Sequence, residues 1–142
     1  MMRIIAMTAL ASAALPSGAV ETPAGRELKE LQGEWTMVRH IVNGEPVKPQ
    51  KGKVPTITFA GDQLVGSNNP KDTKTIVIDP TGKPATIDLK DTYDETVLGI
   101  YKLSGDSLTI CIGNEMEIPR PKEFESPKGR NIELIELKRS KK

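Results

Sequence analysis

The chain has 142 residues, with 20 Lys and Arg against 19 Asp and Glu, one histidine and one cysteine. Setting aside Arg3, which falls in an expected leader, leaves 19 basic against 19 acidic residues, so no net field gathers nucleic acid or anionic lipid. A single cysteine, Cys111, excludes an intramolecular disulfide, and one His with one Cys makes no recognisable zinc ligand set.

Taken in chain order, Arg3 precedes an apolar run from Ile4 to Leu15 and then Pro16-Ser17-Gly18-Ala19. This reads as a secretory signal over residues 1–19, cleaved after Ala19. Its apolar run is shorter than the roughly 20 residues a membrane-spanning helix needs. No cysteine follows it to take a lipid. Residues 20–142 are then expected to form one soluble domain outside the cytoplasm, periplasmic or extracellular, with no membrane span.

Thr22-Pro23 followed by Arg26 to Leu31 predicts a short helix, with Thr22 as cap and Pro23 at its first position. Leu28 and Leu31 share one face, and Gly33 ends the segment. Trp35 to Val42 reads as the first strand, followed by the hairpin pair Asn43-Gly44 and by an irregular return past Pro46 and Pro49. On this strand His40 alternates with Val38 and Val42. Thr56 to Ala60 turns through Gly61-Asp62 into Gln63-Leu64-Val65, which sets Phe59 opposite Leu64. Thr73 to Ile78 and Thr86 to Leu89 form the next pair. Val97 to Leu103 and Ser107 to Ile112 are the clearest hairpin, because a Gly105-Asp106 loop sets Leu103 opposite Leu108 and Tyr101 opposite Ile110. Cys111 then shares the other face with Lys102 and Thr109, which predicts partial exposure. Residues 113–129 read as a long loop. In the last strand, Ile132 to Leu137, the apolar phase changes between Leu134 and Ile135, so either a bulge lies there or both faces are covered.

About eight short strands with hairpin links in so small a chain predict an all-β fold, an up-and-down antiparallel barrel with a short N-terminal helix. Closure also removes exposed sheet edges. Two places bear on how such a barrel ends: Leu31-Gln32-Gly33-Glu34-Trp35, which holds the only tryptophan, and Leu137-Lys138-Arg139. A Gly-x-Trp opening with a late Arg resembles the base of lipocalin-like barrels, where the indole plugs the floor and a guanidinium stacks on it. Gly33, Trp35 and Arg139 would fill those roles.

The resemblance extends along most of residues 20–142. Asn43-Gly44-Glu45-Pro46-Val47, Pro84-Ala85-Thr86-Ile87-Asp88-Leu89, the long block from Gly99 through Tyr101, Gly105 and Asp106 to Cys111, and Arg120-Pro121-Lys122-Glu123-Phe124 follow the opening motif in order. Together they are similar to a family of small, exported, lipocalin-like domains of unknown function that are numerous in planctomycete bacteria. The resemblance implies a fold and an address, and it carries no catalytic residue with it.

The residues themselves offer little catalytic chemistry. Any Ser-His-Asp or Cys-His arrangement would need His40 as its base, and nothing in the spacing places a nucleophile beside it. Asp91, Asp94 and Glu95, like Glu115, Glu117, Glu123 and Glu125, lack the spacing of a calcium loop and read as solvated turns. Asp106 is a turn residue, which leaves Asp88 without a carboxylate partner. Arg120 and Phe124 in the long loop either close a barrel mouth against a ligand or tuck the loop on the wall.

The expectation is therefore a non-enzymatic domain with no metal and no cofactor that binds a small apolar ligand or peptide. Phe59, Leu64, Tyr101, Leu103, Leu108 and Ile110 would line the interior, with Arg120 and Phe124 at its mouth. The alternative is a packed barrel that engages another envelope protein. Oligomeric state is not legible.

Overall fold

A computed structural model describes residues 21–49 and 51–141; the expected signal, 1–19, lies outside them. Thr22 accepts the Gly25 N–H on its Oγ1 at 2.9 Å and so caps α1 (Pro23–Leu31), with Pro23 where its missing N–H costs nothing. Leu28 and Leu31 face the core, as their spacing predicts.

The strands that follow are β1 (Gly33–Val42), β2 (Glu45–Pro46), β3 (Thr56–Ala60), β4 (Gln63–Gly66), β5 (Asn69–Asp79), β6 (Ala85–Lys90), β7 (Thr96–Ser104), β8 (Ser107–Gly113) and β9 (Ile132–Arg139). Each pairs antiparallel with the next along β3 to β9, and β9 returns to pair with β1. The result is a closed, eight-stranded up-and-down barrel with β2 as one extra strand. The turns do what their residues dictate. Asn43 and Gly44 both take positive φ, and Gly105 does so in the β7–β8 hairpin. Phe59 lies opposite Leu64, Leu103 opposite Leu108, and Tyr101 opposite Ile110.

One end of the barrel is sealed. Trp35 is fully buried, and its Nε1 donates to Leu31 O at 2.8 Å, tying the indole to the last turn of α1. The Arg139 guanidinium lies 4.3 Å from the ring centroid. It also donates from Nη2 to Glu30 O at 2.8 Å and from Nη1 to Gln32 O at 3.2 Å, satisfying carbonyls the helix end leaves open. Asp106 accepts from Arg139 Nε at 3.1 Å, so this turn residue also helps hold the base. Gln32 grips the β3–β4 turn, its side chain donating to Gly61 O and accepting Gly61 N–H. Gly33, with φ of 106°, supplies a backbone that a side chain would strain, at the point where helix becomes strand.

The outer wall carries a second apolar cluster. Ile100, Cys111 and Leu134 point outward, and Ile41, Ile132 and Phe124 pack on them. Segment 114–131 thus covers one face of the sheet. Both faces of β9 are covered, Ile135 joining the interior and Leu134 the outer cluster, which decides the phase change in favour of the second alternative. Cys111 is correspondingly 0% exposed, against the partial exposure its face predicted. A face that alternation marks as solvent-facing becomes interior once a loop lies over it.

The bulge lies instead in β1, where register shifts between Met37 and Arg39. Met37 opposes Leu137 before it, and His40 opposes Ile135 after it, so Val38 is the extra residue. This corrects the simple alternation of Val38, His40 and Val42. Val38 is 54% exposed, whereas His40 lies opposite an inward-facing residue of the core.

A candidate binding cup at the open end

The barrel interior divides into two unlike halves. Beside the floor, Trp35, Phe59, Leu64, Ile78, Ile87, Tyr101, Leu108, Ile110 and Leu137 pack together with Leu31 of the helix. Tyr101 donates its hydroxyl to Glu27 of α1, and burial first, then this carboxylate, pushes the phenol far above its ordinary range. Away from the floor the inward positions become polar. On β5, Asp72 and Lys74 continue the inward series of Ile76 and Ile78, and Lys74 Nζ lies 2.6 Å from Asp72 Oδ2. Across the barrel His40 Nε2 lies 2.7 Å from Glu133 Oε1.

A cavity of about 530 Å³ occupies this open end. Leu89, Val97 and Ile112 form its apolar base, Met116 also lines it, and Lys74, Asp91, Glu95, Glu115, Glu117 and Glu133 supply its polar groups. Gly99 explains how β7 and β8 close beneath it. A Cβ there would collide with Ile112 Cγ2 and come within 2.7 Å of Cys111 O, so only glycine lets the Ile112 side chain lie flat against β7. Asp91 Oδ1 accepts the N–H groups of Tyr93 and Glu95 at 2.8 and 3.0 Å, which fixes the β6–β7 turn along the rim.

A second cavity, about 480 Å³, opens through the side. There β1 faces β3 only over Gly33 to Thr36 and β2 only at Ile41 and Val42. Met37, Val38, His40, Val47, Pro49 and Pro55 are among its lining residues. The His40–Glu133 pair stands between the two spaces, one partner lining each.

The site residues expected from sequence fall into three places. Phe59, Leu64, Tyr101, Leu103, Leu108 and Ile110 are inward and belong to or pack on the main core, and none of them lines either cavity. Gly33, Trp35 and Arg139 meet at the base. Arg120 and Phe124 lie on the outer wall instead of at a mouth. Arg120 Nη1 donates to Gly99 O at 2.8 Å and sits 2.7 Å from Asp88 Oδ1, a close charge contact without hydrogen-bond alignment. Phe124 packs on Ile100, Cys111 and Leu134, with Lys102 Nζ 5.1 Å from its ring centroid. His40 points inward and Cys111 outward, where its thiol is 3.4 Å from the carbonyls of Glu123 and Glu125. Burial raises the Cys111 pKa.

Sequence reasoning missed the cup because Lys74 and Glu133, charged residues opposite inward-facing Leu64 and Ile112, were not read as marking a polar interior. The signal was present: charged residues at the same alternate positions as Ile76 and Ile78 mark where a barrel interior becomes wet. Comparison with protein-family models, curated proteins and solved structures finds no match.

Proposed function

We propose that this is an exported, non-enzymatic binding domain that holds a small, largely apolar molecule in the open half of its barrel, within the family of lipocalin-like domains its motifs resemble. One observation carries the reading: a barrel sealed at its floor keeps a cavity of about 530 Å³, based on Leu89, Val97 and Ile112, at the opposite end. This falls in the size range of ligand sites, and Leu89, Val97 and Ile112 give it an apolar base. Met116, 42% exposed beside it, is a flexible apolar side chain suited to closing over a guest. The six core residues first expected to line the site serve as its foundation.

The test uses Nile red, a neutral apolar dye. The protein is expected to enhance its fluorescence saturably at one dye per chain. Val97→Trp, which fills the cup, should abolish the enhancement while the melting temperature stays within a few degrees of the parent. No saturable uptake, or uptake indifferent to Val97→Trp, would overturn the proposal.

A second reading, docking of another envelope protein, is favoured by the exposed valines Val38, Val47 and Val54, at 54, 44 and 59%. Val38 and Val47 line the side cavity, and Val54 adjoins its residues Lys53 and Pro55. Phe124, half-buried on the wall, offers no such patch.

A further inference from the structure

We infer that the side cavity is a docking groove for an acidic protein segment that carries apolar side chains. The inference rests on reading this side of the barrel as a protein-docking surface and adds the partner's chemistry. The groove exists because β1 is parted from its neighbours. Met37 N–H donates to Pro55 O at 2.9 Å at one end of the gap, and Val47 N–H donates to His40 O at 2.8 Å at the other. Between them Val38 and Arg39 pair with neither β3 nor β2. A strand edge left open in this way is a place where another chain can lie. Of the six exposed large apolar side chains among the described residues, three gather here: Val38 and Val47 in the lining, and Val54 between Lys53 and Pro55 of the same lining. Apolar groups that stand together at the surface, rimmed by charge, mark a protein contact. Pro49 and Pro55, also in the lining, have φ fixed by their rings, so less freedom is lost when a partner settles.

Charge selects the partner. The lining holds Arg39, His40, Lys48 and Lys53, and no Asp or Glu. Arg39 is matched by Glu136, and His40 lies against Glu133. Lys48 and Lys53 form no ion pair among the described residues. Both are exposed, as is Lys51 between them in sequence. A segment that sets its apolar side chains on the valines therefore brings flanking carboxylates to unmatched ammonium groups, whereas flanking lysines would be repelled. These charges are exposed and screened, so the preference for acid should be moderate and sensitive to salt.

The test compares three capped hexapeptides by titration calorimetry on the full domain in low salt: Asp-Glu-Leu-Val-Asp-Glu, Gln-Gln-Leu-Val-Gln-Gln and Asp-Glu-Ser-Ser-Asp-Glu. The first should bind most tightly, about 5-fold ahead of the second, with a gap that shrinks in 0.5 M NaCl. The third, lacking apolar side chains, should bind most weakly. Lys48→Gln combined with Lys53→Gln should close the gap between the first two and leave the affinity of the neutral peptide unchanged. Val38→Ser combined with Val47→Ser should weaken both peptides that carry Leu-Val. All four positions are exposed, so the melting temperature of either variant should stay near the parent value. Equal binding of the acidic and neutral peptides, or a gap unmoved by the lysine variant, overturns the acidic assignment and leaves the groove standing as an apolar docking surface. Binding of no peptide, or binding indifferent to the valine variant, overturns the docking surface and the assignment together. A dimer in sedimentation that the valine variant dissociates makes a second copy the occupant and overturns the assignment to a separate acidic partner.

Discussion

Replacing Trp35 with alanine tests the sealed base most directly. The indole is fully buried, bonded to Leu31 O and covered by Arg139, so the change opens a large void at the meeting point of α1, β1 and β9. Large aromatic-to-alanine changes in cores cost about 3–5 kcal/mol. Loss of the guanidinium stacking falls within that range, since such contacts contribute about 0.5–2 kcal/mol. A domain of this size has total stability of order 10 kcal/mol, so Trp35→Ala should still fold but melt about 10–20 °C lower. Trp35→Phe keeps most of the volume and removes the donor to Leu31 O, which should cost about 1–3 kcal/mol. Far-UV circular dichroism is the proper readout, because both variants lose the only tryptophan. A melting temperature within about 2 °C of the parent for Trp35→Ala would refute the reasoning, as would equal losses for the two variants, which would leave the void without effect.

Two further outcomes follow from the buried titratable groups. Tyr101 resists ionisation in the folded barrel, while in the unfolded chain it ionises near pH 10, so the folded state holds its proton longer and stability should be full below about pH 10 and fall above it, by up to about 1.4 kcal/mol per pH unit. Urea unfolding between pH 8.5 and 11.5 should show that decline, and Tyr101→Phe should flatten it; an unaltered slope in the variant would place the effect elsewhere. Cys111, sealed beneath segment 114–131 with its pKa raised by burial, should react with a disulfide reagent only as fast as the wall opens. Phe124→Ala should speed that reaction markedly, and prompt labelling of the parent would show the thiol to be accessible.

The legible parts of the fold were those set by local chemistry. Thr22-Pro23 could be read as a helix start because the capping bond and the proline position depend on neighbours in sequence. Gly105-Asp106 fixed the pairing of β7 with β8, since a two-residue loop leaves one register that buries Tyr101, Leu103, Leu108 and Ile110 together. Cys111 misled for the opposite reason. Alternation reports which side of a strand a residue occupies, and it says nothing about a loop from residues 114–131 folding over that side. The cup was hidden similarly, because its rim joins the turn at Asp91 to the segment at Glu115, far apart along the chain.

The β1 bulge shows how one residue invisible to pattern reading shapes both cavities. A strictly alternating strand starting from inward-facing Trp35 would put Met37 inward and His40 outward. Insertion of Val38 reverses the phase, so His40 enters the barrel and meets Glu133. A bulge also bends its strand, and the shift at Val38 falls where β1 leaves β3 and has not yet reached β2. The side cavity is the gap left between those two pairings, while the pair formed by His40 lies between that gap and the cup. Closure of β1 against β9 is kept throughout, because the bulge leaves Ile41 and Val42 in register with Leu134 and Glu133. The barrel is thus closed along one edge of β1 and parted along the other, and its polar, open half is built around that asymmetry.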